Sequence, residues 1–179
     1  MSEHSSTRDR AARSCADAVA ALQLAGVLPE AIAEYVPEGR KLFVLPRPAT
    51  MRALGEAWRL GSLLLDTEGG LWVAGRATRA AERGRVGYQS VSREERRDIA
   101  AAALRGGYAE GFPVNFDARP ISLDEASLRE LGPTDPIGLA ESEIRVRWRT
   151  GASLDSAPTL EQYLRERVAL LVDPPLPAS

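Results

Sequence analysis

The chain has 179 residues, 44% apolar and 6% aromatic, with a formal net charge of −2. That length suits a single domain whose core is mostly Leu, Val and Ala. The balanced charge gives no reason to expect a nucleic-acid or membrane partner from the chain as a whole. A lone cysteine, Cys15, excludes an intramolecular disulfide and a Cys-based zinc site, and fits a reducing cytoplasm. No run of about 18 apolar residues is present, so no membrane span is expected.

Residues 1–7 are polar and read as a disordered start. Arg8, Arg10 and Arg13 before the apolar stretch 16–28 resemble a signal peptide. Glu3 and Asp9 spoil its basic part, however, and Asp17 and Gln23 interrupt its apolar part, so a cytoplasmic location is expected. From about Arg8 the pattern is helical: Ala11 or Ala12, Cys15, Ala18 or Val19, and Leu22 form one apolar stripe, with Thr7 as the expected cap and Gly26 as the stop. Pro29 then opens a second short helix through Val36, which makes 8–36 a helical N-terminal segment. Cys15 on the stripe reads as a small core residue.

Residues 41–45 read as a strand closed by Pro46 and Pro48; 50–54 fits either a short strand or a helical turn. The centre of the chain is an expected hairpin, 57–66 with 71–78. Trp58, Leu60, Ser62 and Leu64 alternate with Arg59, Gly61, Leu63 and Leu65, and Leu63-Leu64-Leu65 is apolar on both faces, as in a strand entering the interior of a sheet. Asp66-Thr67-Glu68-Gly69-Gly70 is the turn. Gly75 inside the return strand predicts a bulge or the close approach of another backbone.

Residues 76–87 read as an Arg- and Gly-rich loop. Ser92 and Glu95 have capping-box spacing for a helix over 93–105 with Ile99, Ala103 and Leu104 inward, stopped by Gly106-Gly107. A strand over 112–117, a helix opened by the Ser122/Glu125 box and ended by Gly132-Pro133, and a strand over 144–149 follow. In the last, Ile144, Val146 and Trp148 face inward and Arg145, Arg147 and Arg149 outward. A helix after Thr159, boxed by Gln162, buries Leu160, Tyr163, Leu164, Val168 and Leu171. Residues 173–179 form a Pro-rich tail. The expected fold is α+β: one domain over 8–172, with a mainly antiparallel sheet of about five strands and four or five helices.

Chemistry is constrained chiefly by what is missing. There is no G-x-x-x-x-G-K phosphate loop, no G-x-S-x-G elbow and no S-x-x-K, since Glu38 stands three residues before Lys41. His4 is the only histidine, so a Ser-His or Cys-His pair is not expected. No catalytic residue, metal ligand or cofactor is assigned. Charge is uneven: 59–105 hold nine Arg against six acids, and 106–179 seven against twelve. Arg76, Arg79, Arg83 and Arg85 oppose only Glu82, beside Tyr88. If the strand 144–149 lies next to the hairpin, Arg145, Arg147 and Arg149 join that face. Such a group can grip a phosphate or carboxylate in two-point contacts; the alternative is a solvated face paired with neighbouring acids. The reading is a non-enzymatic binding or interaction protein whose partner is an anionic small molecule or another protein. A small hydrolase using carboxylates is the alternative. The aromatic motifs of RNA readers are missing, so nucleic acid is not expected.

W-R-L-G-x-L-L-L (58–65), A-A-L-R-G-G-Y (102–108), V-R-W (146–148) and Y-L-x-E-R-x-x-L-L-x-D-P-P (163–175) together resemble a group of small proteins of no established activity from high-GC actinobacteria. The 22 Arg against one lysine, Lys41, fit a GC-rich source. Some members of that group carry an automatic glutaminase label. A serine-type glutaminase would need the S-x-x-K that is absent, and a cysteine-type enzyme would need Cys15 and His4 to pair.

Overall fold

The computed structural model describes residues 6–41, 45–84 and 91–175. Its elements are α+β, and by contacts they gather into two compact units. One contains the chain up to Pro29, Trp58–Val73 and everything from Pro120; the other contains Glu30–Ala57 and Ala74–Arg119. The largest sheet has seven strands. In chain order they are β1 (Glu30–Val36), β4 (Thr50–Leu60), β5 (Leu63–Asp66), β6 (Leu71–Val73), β7 (Arg76–Arg79), β8 (Pro113–Phe116) and β9 (Arg119–Ile121); between β1 and β4, β2 (Gly39–Lys41) and β3 (Leu45–Arg47) pair as a small antiparallel ribbon. Their spatial order is β7-β8-β1-β4-β5-β6-β9, antiparallel at β7/β8, β1/β4 and β5/β6 and parallel at β1/β8. A third pair, β10 (Ile137–Ala140) with β11 (Glu143–Val146), is a separate antiparallel ribbon.

The sheet is larger than the five strands expected, and β1 is the main reason. Residues 30–36 form a strand, not the second half of a helical segment over 8–36. Ala31, Ile32 and Ala33 are all buried, with β4 on one side and β8 on the other. Pairing on both edges overrides the weak helical pattern of E-A-I-A-E-Y-V. The second omission is β9, whose central Pro120 hides it; proline is tolerated at a sheet edge, where β9 lies. The hairpin is also shorter than 57–66/71–78. Gly61, at φ +65, turns the chain from β4 into β5, supplying the positive φ that a two-residue hairpin loop needs at its first position. The return strand breaks at Ala74-Gly75, where a Cβ on Gly75 would collide with the carbonyl oxygens of Phe116 and Asp117.

In the unit with the chain's N-terminus, the helix Thr7–Leu24 (α1) buries Ala11, Cys15, Ala18, Val19 and Leu22, the stripe its sequence predicts. Its cap is Ser6, one residue earlier than Thr7, in a reciprocal box with Asp9. Gly26, at φ +68, ends it: the amides of Gly26 and Val27 return to the carbonyls of Gln23 and Leu22. The helix Leu160–Val172 (α4) carries the expected Thr159/Gln162 box. Leu160, Tyr163, Leu164 and Val168 are buried, but Leu171 is exposed. The Tyr163 hydroxyl donates to Leu60 O at 2.7 Å and accepts from Ser62 N at 3.2 Å, clamping the Gly61 turn. Trp58 is buried, and its indole donates to Val27 O at 2.8 Å. The short helix Glu125–Glu130 (α3) is capped by Asp124, which accepts from Ser127 N at 2.9 Å, in place of the predicted cap Ser122.

In the other unit, the helix Val91–Arg105 (α2) buries Ile99, Ala101, Ala102 and Ala103. Gly106-Gly107 stops it as expected: the Gly107 and Tyr108 amides reach back to Leu104 and Ala103. The core here is built from small residues, Ala31, Ala33, Ala80, Ala102 and Ala103, around Met51, Val114 and Phe116. Among the described residues, no helix is long and apolar enough to cross a membrane.

Candidate functional site

Arg76 opens β7 and Arg83 lies in the segment after it; both turn toward α2. Glu95 and Asp98 are three residues apart on α2 and so project from one face. Arg76 Nη2 meets Glu95 Oε1 at 3.1 Å, and its Nη1 lies 3.9 Å from Asp117 Oδ2. The guanidinium carbon sits 5.0 Å from the centroid of the Phe116 ring, so the group rests on an aromatic floor. Arg83 Nε meets Asp98 Oδ1 at 2.6 Å and its Nη2 lies 3.5 Å from Asp98 Oδ2, a two-point contact. All four side chains are about half exposed.

These groups line a cleft of about 540 Å3. Phe116 and Ile99 give it a buried apolar floor, and Tyr35 packs against Phe116 with ring centroids 6.3 Å apart. Pro37, Pro48 and Ala49 form the far wall, and Arg105 is anchored there by its Nε donating to Ala49 O at 2.6 Å. Three Arg (76, 83, 105) and four acids (Glu38, Glu94, Glu95, Asp98) line the cleft. It carries both signs of charge and is not a purely basic pocket.

The remaining Arg positions picked out in the sequence lie elsewhere. Arg79 Nη1 donates to Gly111 O at 2.9 Å. Arg85 and Tyr88 fall outside the described residues. The strand β11 pairs with β10, not with the hairpin, so the condition for a shared Arg face is not met. Arg145 donates to Ala157 O at 2.8 Å. Arg147 is turned inward: its Nε donates to Ala152 O at 2.9 Å, and its Nη1 to Asp135 O and Ile137 O at 2.9 and 3.0 Å. With Arg147 inside, Trp148 is displaced outward to 71% exposure, the reverse of the expected alternation. Arg149 stacks over its ring at 4.6 Å.

Sequence reasoning missed Glu95, Asp98, Tyr35, Phe116 and Arg105. Glu95 was assigned to a capping box, yet α2 starts at Val91 and the Glu95 carboxylate holds Arg76. The three-residue spacing of Glu95 and Asp98 was the one available signal. Cys15, on α1 in the other unit, is fully buried, and burial, with a smaller effect from Asp66, pushes its thiol up to about 12. Among the described residues no three His, Cys, Asp or Glu side chains converge on a point that could hold a metal ion.

No protein-family model matches the chain, and neither a curated protein nor a solved structure is significantly similar to it.

Proposed function

We propose that this chain is a non-enzymatic binding protein that takes a small anion, a carboxylate or a phosphate, in the cleft between β7 and α2. The observation that supports this is that Arg76 and Arg83 each hold a half-exposed carboxylate in one cleft, Arg76 resting on the Phe116 ring. Exposed ion pairs of this kind contribute only about 0.2–1 kcal/mol. A ligand that offers two oxygens to each guanidinium replaces Glu95 and Asp98 at small cost, and the displaced carboxylates turn to water. For Arg76 a ligand's two oxygens turn the one-point contact with Glu95 into a stronger, more directional two-point one; for Arg83 they take over the two-point contact that Asp98 makes. Phe116 holds Arg76 in place and so lowers the entropy lost on binding.

Cys15 argues against cysteine-based catalysis in particular. A thiol that is buried and protonated at neutral pH is not a nucleophile. The glutaminase label borne by some of the proteins that the chain resembles has no support from such a residue.

Calorimetric titration at low salt with inorganic phosphate, pyrophosphate, citrate and glutamine tests the proposal. At least one of the anions should bind, more weakly as salt rises. Arg76→Ala/Arg83→Ala should abolish that binding, and Glu95→Gln/Asp98→Asn should tighten it by removing the internal competitor. Binding that survives loss of both arginines, or no binding of any anion by the Glu95→Gln/Asp98→Asn variant, rejects the site.

A further inference from the structure

The helices α1 and α4 lie side by side and run in the same direction. Their N-terminal halves line one cavity together, and their C-terminal halves line the next. That second cavity is an open groove of about 480 Å3. Asp17, Glu161 and Arg165 line its near end, Ala18, Leu164 and Val168 lie along it, and Leu24, Ala25 and Val172 border its far end. Leu24 is 91% exposed, with Leu170, Leu171 and Val172 at 47%, 37% and 45% on the last turn of α4. Four of the eight large apolar side chains exposed among the described residues thus sit on the final turns of two neighbouring helices. Apolar exposure concentrated in this way marks a contact surface.

Charge is partitioned along the same two helices. Arg8, Asp9, Arg10, Arg13 and Asp17 fall in the first part of α1, and Glu161, Arg165, Glu166 and Arg167 in the first part of α4; residues 18–24 and 168–172 carry none. Neither helix has a basic residue in its last turn. Two parallel helices therefore present their negative carbonyl ends together, with no cation from either helix to compensate them.

We propose that the groove is the contact surface of a two-fold homodimer, in which the α1–α4 pair of a second copy packs against it in the antiparallel direction. The face is self-complementary, as a two-fold contact requires: Leu24 is a projecting knob, and the groove beside it is a hole. Centred near Ala21 and Val168, the antiparallel copy places its Leu24 in the groove. It also brings its Arg165, one helical turn before Val168, to the C-terminal ends of α1 and α4, where the guanidinium exchanges its exposed ion pair with Glu161 for their carbonyls. The macrodipoles that add within a protomer oppose one another across the interface. The charged N-terminal halves stay at the rim, and the uncharged C-terminal halves form the centre.

Sedimentation equilibrium of the full chain, from about 1 to 100 μM where interfaces of ordinary strength dissociate, tests the proposal. The expected species at the upper end is twice the 19.3 kDa chain. Leu24→Arg and, separately, Val172→Arg should each raise the dimer dissociation constant by about 100-fold or more, because a central interface residue is replaced by a charge. Arg165→Glu should raise it by about 10-fold, and the more so at low salt. Leu54→Arg, about as exposed as Val172 but in the other unit, should change nothing. Far-UV circular dichroism of each variant confirms that the fold is kept. A monomer over the whole range would overturn the proposal and leave the groove to a different partner. So would a dimer that Leu24→Arg and Val172→Arg leave intact.

Discussion

The two units use arginine in opposite ways. In the unit holding β10 and β11, Arg145 and Arg147 donate to main-chain carbonyls, and Arg147 is nearly buried among three of them. In the unit holding α2, Arg76 and Arg83 bond to half-exposed side-chain carboxylates. A carbonyl fixed in a turn cannot leave without unfolding that turn; a glutamate on a helix surface can rotate away. The same residue type is structural in one unit and exchangeable in the other, and the partner decides which. The cores differ in the same sense. The first is filled by Trp58, Tyr163 and many Leu side chains, the second mainly by Ala around one phenylalanine.

The largest expected effect probes the large-residue core. Trp58→Ala removes a buried indole and its hydrogen bond to Val27, and should cost about 3–5 kcal/mol in chemical denaturation. Arg147→Met keeps the aliphatic stem but leaves the carbonyls of Asp135, Ile137 and Ala152 without their donor, which should cost about 1–3 kcal/mol. Arg76→Ala with Arg83→Ala should stay within about 0.5 kcal/mol for each residue, as surface changes do. If Arg147→Met and the Arg76/Arg83 pair melt alike, the contrast between fixed and exchangeable arginines fails. Trp148→Ala should also fall within about 0.5 kcal/mol, since the side chain is mostly in water.

A gentler test uses pH. Hydrogen bonds from Ser122, then from the Ser127 amide and hydroxyl, hold the Asp124 carboxyl well below the usual carboxylate range. Ser6 holds Asp9 down in the same way. A carboxyl lowered in the folded state contributes stability above its unfolded pKa of about 4 and loses it as pH falls through the folded value. Melting temperature should therefore be flat from neutral pH down to about 5 with respect to these two groups, and decline below about 4. Asp124→Asn should blunt part of that decline; an unchanged acid limb would show that the cap is not the titrating element.

What the sequence reveals is set by how local the deciding interaction is. The stripe of α1, that of α4 as far as Val168, the Thr159/Gln162 box, the glycine stops after α1 and α2, and the doubly buried Leu63-Leu64-Leu65 all depend on neighbours a few residues away. They could be read directly. The strand β1 could not, because its identity depends on β4 and on β8, some 80 residues further along. The alternation of 144–149 was real only as far as Val146. There the ribbon ends, and the Arg147 guanidinium reaches inward to carbonyls that no local pattern announces. The cleft was half legible: Arg76 and Arg83 stood out by charge, but their carboxylate partners on α2 had no mark that distinguished them from an ordinary solvated helix face.

The pairing of α1 with α4 governs how the protein can form on the ribosome. The two helices are joined in space yet separated by about 135 residues of chain, as are Thr7 and Ser142, whose hydroxyl and carbonyl meet at 2.8 Å. Every segment of the α2 unit has been synthesised by Arg119, so it can complete its pairings while synthesis continues. The partner unit cannot. Its helix α1 is made before the α2 unit, and its apolar stripe must wait for α4, about 135 residues further along the chain, to cover it. Loop closure of that length is slow compared with local folding. A nascent chain stalled before Leu160 would carry one finished half and one uncovered helix, the form most exposed to chaperones and to premature self-association.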